Sequence, residues 1–205
     1  MSGEWRLIKG EQLYNIKKDP GQENDVSDKY PEVVKELRRA HENWWDEISP
    51  KLEERCPIIL GNEKENPTCL NSMDVMGDVA WNQCHIARAR ESTGKWWVEV
   101  EKKGKYRFSL RRWPEELDLS IDAGISSEEL ENIAPYEKEK ECNKLAPDKA
   151  KVKIFDKTEI IDIEGNQKEI TFEIDISRVG ETQLEAWFLD EDNYQGAYYV
   201  IVERL

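Results

Sequence analysis

KWWVEVEKKGKYRFSLRRW, residues 95–113, decides the fold class. Its apolar side chains recur at every second position: Trp96, Val98 and Val100, then Tyr106, Phe108 and Leu110. A period of two puts successive side chains on opposite faces of an extended chain, so each half reads as a strand with one buried face. Lys102-Lys103-Gly104 between them reads as the short loop of a hairpin. ITFEIDI (170–176) alternates in the same way, Ile170, Phe172, Ile174 and Ile176 against Thr171, Glu173 and Asp175. QLEAWFLD (183–190) and GAYYVIVERL (196–205) supply two further strands, and PIIL, CLNSM, QCHIARA, AKVKIF and EIIDI fill in the rest. Roughly nine or ten short strands separated by turns predict a mainly β chain, with a jelly-roll-like antiparallel β-sandwich over 57–205. A charged insertion near 114–147 interrupts it. SSEELENIAPYEKEKECNKL (126–145) gives that insertion a helical piece, read as solvated surface.

Upstream of Pro57 the period is 3.6 rather than 2. WRLI and QLYNI, joined by Lys9-Gly10-Glu11, read as an N-terminal hairpin. Asp19, Pro20 and Gly21 then supply turn chemistry, with Gly21 expected at positive φ. Pro31 suits the first position of a helix, and Glu32 and Glu36 favour its positive end. Val33, Val34, Leu37, Ala40, His41, Trp44, Trp45 and Ile48 form one stripe on a helix that ends near Ser49-Pro50. Residues 1–52 are therefore a strand–turn–strand–helix piece, amphipathic, with Val34, Leu37, Trp44 and Trp45 as its packing stripe. His41 is expected to pack in the core or at its rim and not to serve as a base. A hairpin and one helix cannot bury both their faces alone. Something must cover the Trp-rich stripe, either the rest of this chain or a partner.

Composition narrows the function classes. The 205 residues are 38% hydrophobic with eight Trp, enough for a sizeable core. Charged residues are 36% of the chain and the net charge is −14, which argues against nucleic acid and anionic membrane as partners. No apolar run approaches the ~20 residues of a membrane span. MSGEWRLIKGEQ has no apolar core segment, so the chain as written is expected to carry no secretory signal. Cys56, Cys69, Cys84 and Cys142 contain no CxxC pair, so zinc-site spacing is absent and reduced, semi-buried thiols are expected. Read on a strand, Cys84 and His85 point to opposite faces and make no ligand pair. GxSxG, HExxH and Gly-rich phosphate loops are absent, and two histidines leave little material for a triad. No catalytic residue and no metal ligand is assigned.

QLYNIKKDPGQENDVSDKYPEVVKELRRAHENWW resembles the C-terminal subdomain of the sulfatase family, where a strand, a DP-containing turn and a helix ending in WW close the small sheet beside the catalytic domain. NPTCLNSMDV, AWNQ (80–83), KWWVEVEKKGKYRFSLRRWPEE and GAYYVIVERL, in this order, look like the tail of a bacterial arylsulfatase subgroup that carries an extra β-sandwich. The family's C/S-x-P-S-R motif, which yields the formylglycine nucleophile, is absent; Cys56-Pro57-Ile58-Ile59 lacks the spaced Pro, the Ser and the Arg. The calcium-holding aspartates and the active-site Lys and His residues have no counterpart either. The resemblance thus implies the rear part of a sulfuric ester hydrolase, inactive alone: a truncated gene product, an excised piece or half of a split enzyme. Calcium and formylglycine are expected only in the catalytic domain. That domain, in the same or a separate chain, is the implied partner, and the parent enzyme is expected in the periplasm or outside the cell.

In such an enzyme Trp81, Asn82 and Gln83 would close one wall of the substrate cleft, an indole stacking on a ring and two amides bonding hydroxyl or sulfate oxygens. The plainer reading is a packed loop. Strand alternation sets Trp97 and Trp187 opposite their strands' main apolar sets. There they are platforms for a sulfated glycan, contacts for the catalytic domain, or residues covered by the N-terminal helix or the 114–147 insertion. Arg111, beside Arg112 and Trp113-Pro114, binds sulfate or serves a structural salt bridge. Two other functions stay open: a free-standing carbohydrate-binding β-sandwich, and an interaction protein or decayed gene product without a ligand.

Overall fold

The alternating segments do form a sandwich, but the opening pair is not a hairpin. The computed structural model describes residues 2–52, 54–136, 142–190 and 193–205. It divides into two units, Met1–Arg55 and Cys56–Leu205.

In the second unit the strands are β3 (Ile58–Leu60), β4 (Thr68–Asn71), β5 (Lys95–Val100), β6 (Gly104–Arg111), β7 (Lys149–Ile154), β8 (Lys157–Asp162), β9 (Ile170–Ile176), β10 (Gly180–Asp190), β11 (Asn193–Gly196) and β12 (Tyr199–Arg204). One sheet has the order β3-β5-β10-β7-β8, with β11 continuing alongside β10; the other has the order β4-β12-β6-β9. Apart from the β7–β8 and β10–β11 hairpins, which each stay within one sheet, consecutive strands switch between the two layers, as in a jelly roll. One ladder is not antiparallel: β3 runs parallel to β5.

The hairpin expected across 102–104 is therefore an arch. β5 pairs with β10 and β6 pairs with β12 and β9, in opposite sheets. A hairpin would have set the apolar sides of both strands in one layer and left that layer needing a cover. Crossing over brings Trp96, Val98 and Val100 into one core with Tyr106, Phe108 and Leu110, together with the inward residues of β7, β9, β10 and β12. Two carbonyls of the arch accept from side chains. The Tyr106 hydroxyl donates to the Lys102 carbonyl at 2.6 Å, and Arg204 Nε donates to the Lys103 carbonyl at 3.2 Å. Gly61, at φ 79°, leaves the space that the Tyr106 hydroxyl fills.

Two further expectations are corrected. QCHIARA is not a strand: residues Gln83–Ala87 form the short helix α2. Asn82 caps it, its Oδ1 accepting from the His85 amide at 2.9 Å, and local capping outweighs a β-like composition here. The 114–147 insertion is not all solvated surface. Helix α3 (Ser127–Ile133) opens with a capping box between Ser126 and Glu129, and Leu130 and Ala134 are buried with Ile86, Ala87, Trp113 and Tyr198 in a second core. The charge run at 137–141 lies outside the described residues. The four cysteines form no disulfide with one another: Cys56 and Cys69 are exposed, Cys142 half-buried and Cys84 buried.

The first unit joins β1 (Trp5–Ile8) to β2 (Gln12–Asn15) as an antiparallel hairpin. Lys9 and Gly10 turn it at φ 51° and 75°. In the following turn it is Gln22, at φ 57°, that takes the left-handed conformation expected of Gly21. Two carboxylates dictate this path. Asp19 accepts from the amides of Glu23 and Asn24 at 3.1 and 2.8 Å, and Asp25 accepts from those of Leu13 and Ser27 at 3.0 and 2.9 Å. Helix α1 (Pro31–Ile48) then starts with its proline in the first turn, where a missing N–H costs nothing. Leu13, Tyr14 and Val34 are buried and Leu37 is half-buried. From Arg38 to Glu47 every residue of α1 is exposed.

Candidate functional site

Helical spacing puts His41, Trp44 and Trp45 together at the exposed end of α1. His41 is exposed, not packed in a core as expected, and its ring stacks on Trp45 (centroids 6.5 Å, interplanar 6°). Trp44 lies 5.7 Å from His41 and 6.3 Å from Trp45. Trp44 and Trp45 keep 51% and 45% of their surface exposed. A groove of about 1190 Å³ runs from these rings to the β1–β2 turn, with Leu7, Gly10, Leu37, Arg38, His41 and Trp44 on its walls. Arg38 Nε donates to the Gly10 carbonyl and braces the helix against the hairpin. The stripe thus divides: Val34 completes the unit's small core, Leu37 lies at its margin, and Trp44 and Trp45 face outward.

Trp81, Asn82 and Gln83 lie at the start of α2, and the fold uses the side chains of two of the three. Asn82 is the cap. Gln83 Nε2 donates to the Tyr199 hydroxyl at 2.9 Å. Burial raises the Tyr199 phenol's pKa, and the Gln83 hydrogen bond opposes this. Trp81 is 62% exposed, with its backbone N–H donating to His85 Nδ1 at 3.1 Å. As a surface for a ring, only the indole is presented outward.

Arg111 and Arg112 both belong to the framework. Arg111 is 5% exposed and donates to Glu169 Oε2 at 3.1 Å and to the Trp113 carbonyl at 3.3 Å. Arg112 is fully buried. Its guanidinium donates to five carbonyls, those of Ile86, Ala87, Ile121, Ala123 and Asn143, at 2.6–3.3 Å, and lies 4.6 Å from the Trp113 ring. Burial pulls its pKa below the ordinary arginine value. It ties α2, the strand end and the insertion to one centre.

Trp97 and Trp187 share the outer face of the β5–β10 sheet but differ in surroundings. Trp97 stands across from Gln183, and its Nε1 donates to Glu181 Oε2 at 3.0 Å. Trp187 stands across from Lys151 of β7, and its Nε1 donates to the Thr93 carbonyl at 2.9 Å. The ammonium groups of Lys151 and Lys95 lie 5.0 and 6.0 Å from its ring centroid, within cation–π range. These lysines were missed in the sequence. The signal was there: KAKVKI alternates, so Lys149, Lys151 and Lys153 share the face opposite Ala150, Val152 and Ile154.

Among the described residues no group of three or more His, Cys, Asp or Glu side chains is placed to hold a metal ion. No helix among them is long and apolar enough to cross a membrane. Comparison with protein families, with curated proteins and with solved structures finds no match.

Proposed function

We propose that this chain is the C-terminal accessory region of an arylsulfatase-like sulfuric ester hydrolase. It is non-catalytic alone and packs through α1 on a catalytic domain carried by the same or a separate chain. The observation that carries the reading is the outward-facing Trp44–Trp45 pair, on the helix whose sequence resembles the end of the sulfatase subdomain. Covering on the order of 200 Å² of indole surface at roughly 25 cal/mol per Å² is worth about 5 kcal/mol before the costs of association. Such a face is unfavourable to leave wet and suited to a permanent contact. Formylglycine and calcium belong to the catalytic domain in this reading. The sandwich supplies bulk beside the substrate cleft, with the Trp81 indole as its candidate contact to a sulfate ester's ring.

An antibody against this chain, used to blot and to capture from source cells, tests the proposal. A band well above 24.1 kDa containing sulfatase catalytic peptides supports it. A 24.1 kDa band that captures a sulfatase catalytic subunit, with capture lost in Trp44→Ala/Trp45→Ala, supports it equally. A 24.1 kDa band free of any sulfatase partner overturns it.

A further inference from the structure

The outer face of the sandwich carries a shallow cavity of about 390 Å³ bordered by Asp78, Glu91, Lys95, Lys151, Trp187 and Tyr194. We propose that it binds a saccharide with an anionic substituent, Trp187 stacking on the sugar ring while Lys95 and Lys151 hold the anion. The inference rests on the second unit alone and is independent of the sulfatase reading.

The platform is rigid. The Trp187 indole is anchored to the Thr93 carbonyl, and its ring edge borders Gly94. A Cβ on Gly94 would meet the Trp187 ring at 3.3 Å and the Gly196 backbone at 2.7 Å. Gly196 in turn donates its N–H to the Ser92 carbonyl at 3.0 Å. Two glycines therefore let the loop before β5 and the end of β11 pass in backbone contact beside the ring. An aromatic surface fixed in this way loses little freedom on binding.

The charges are disposed for an anion. Neither Lys95 nor Lys151 makes an ion pair among the described residues, although the chain holds 44 acidic residues against 30 basic ones. Lys153, next on the same face, is paired with Glu185 at 3.2 Å. Two ammonium groups flanking one indole without carboxylate partners leave their charge for a ligand. Asp78 and Glu91 add acceptors for sugar hydroxyls. Tyr194, 68% exposed, offers a second ring. The Ser92 hydroxyl, buried at the wall, has no hydrogen-bond partner. The volume suits one or two sugar rings. Nucleic acid does not fit the net charge of −14, because the rest of the surface would repel a polyanion.

Calorimetric titration of the full chain decides this, with chondroitin sulfate hexasaccharide, its chemically desulfated form, which keeps the uronates, and neutral maltohexaose. Binding to one or both anionic sugars and not to maltohexaose is expected, weakening as salt is added. Selectivity for the sulfated form identifies sulfate as the anion; equal binding of both identifies the carboxylate. Lys95→Gln and Lys151→Gln should each weaken binding about tenfold. Tyr194→Ala serves as the aromatic variant whose side chain is not part of the fold's packing, beside Trp187→Ala. A flat titration with all three sugars overturns the proposal, as does equal binding of maltohexaose or full affinity in the lysine variants.

Discussion

Two pairs of adjacent tryptophans separate the two regions of this molecule. Trp44 and Trp45 neighbour each other on a helix and are both about half exposed; Trp96 and Trp97 neighbour each other on a strand, and Trp96 is fully buried. The difference is geometric. Neighbours on a helix are about 100° apart and share a stripe, whereas neighbours on a strand point to opposite faces. The sandwich can thus place one indole of its pair in the core and one on the surface, and its core closes on itself. The first unit has one hairpin and one helix, and its core ends at Val34 and Leu37.

Substitutions sharpen this contrast. Trp96→Ala should cost the most, about 4 kcal/mol in urea unfolding of the sandwich, because it opens a cavity in a closed core. Arg112→Ala should cost about 3 kcal/mol by the same measurement, since five carbonyls of the second core lose their donor. A loss under about 1 kcal/mol would show that water replaces the guanidinium there. Trp97→Ala should cost only about 1 kcal/mol, its partner Glu181 being exposed. Trp44→Ala and Trp45→Ala should each change the isolated chain's stability by less than about 0.5 kcal/mol. They should also diminish the red-shifted part of its tryptophan emission, leaving the contribution of Trp81, which is 62% exposed. A large loss of stability in either would break the contrast by showing that the pair is packed in solution.

The smallest expected effect concerns pH. Backbone amides hold the Asp19 carboxyl, through Asn24 and Glu23, and the Asp25 carboxyl, through Ser27 and Leu13, below the usual aspartate range. A depressed folded pKa contributes stability above the unfolded value and loses it as pH falls through the folded one. Acidification below about 4 should therefore loosen the 19–28 turn first. Hydrogen exchange at the amides of Leu13, Glu23, Asn24 and Ser27 checks this. Unchanged protection there would mean that the carboxylates do not hold the turn.

The sequence alone determined the alternation of ITFEIDI, the amphipathic helix after Pro31 and the jelly-roll-like sandwich, because binary pattern and turn chemistry act over a few residues. It also placed Trp97 and Trp187 on the outer face of their sheet, since strand alternation needs only a count of two. Only the tertiary structure decided which strand pairs with which. The sequence between Val100 and Gly104 suits a hairpin as well as an arch, and the choice follows from where the two apolar faces find partners. It alone turned Gln83–Ala87 into a helix and gave Arg112 five carbonyls from segments far apart in the chain. The same holds for the cavity beside Trp187. Its residues come from five separate stretches between Asp78 and Tyr194, and no local pattern records that folding sets them side by side.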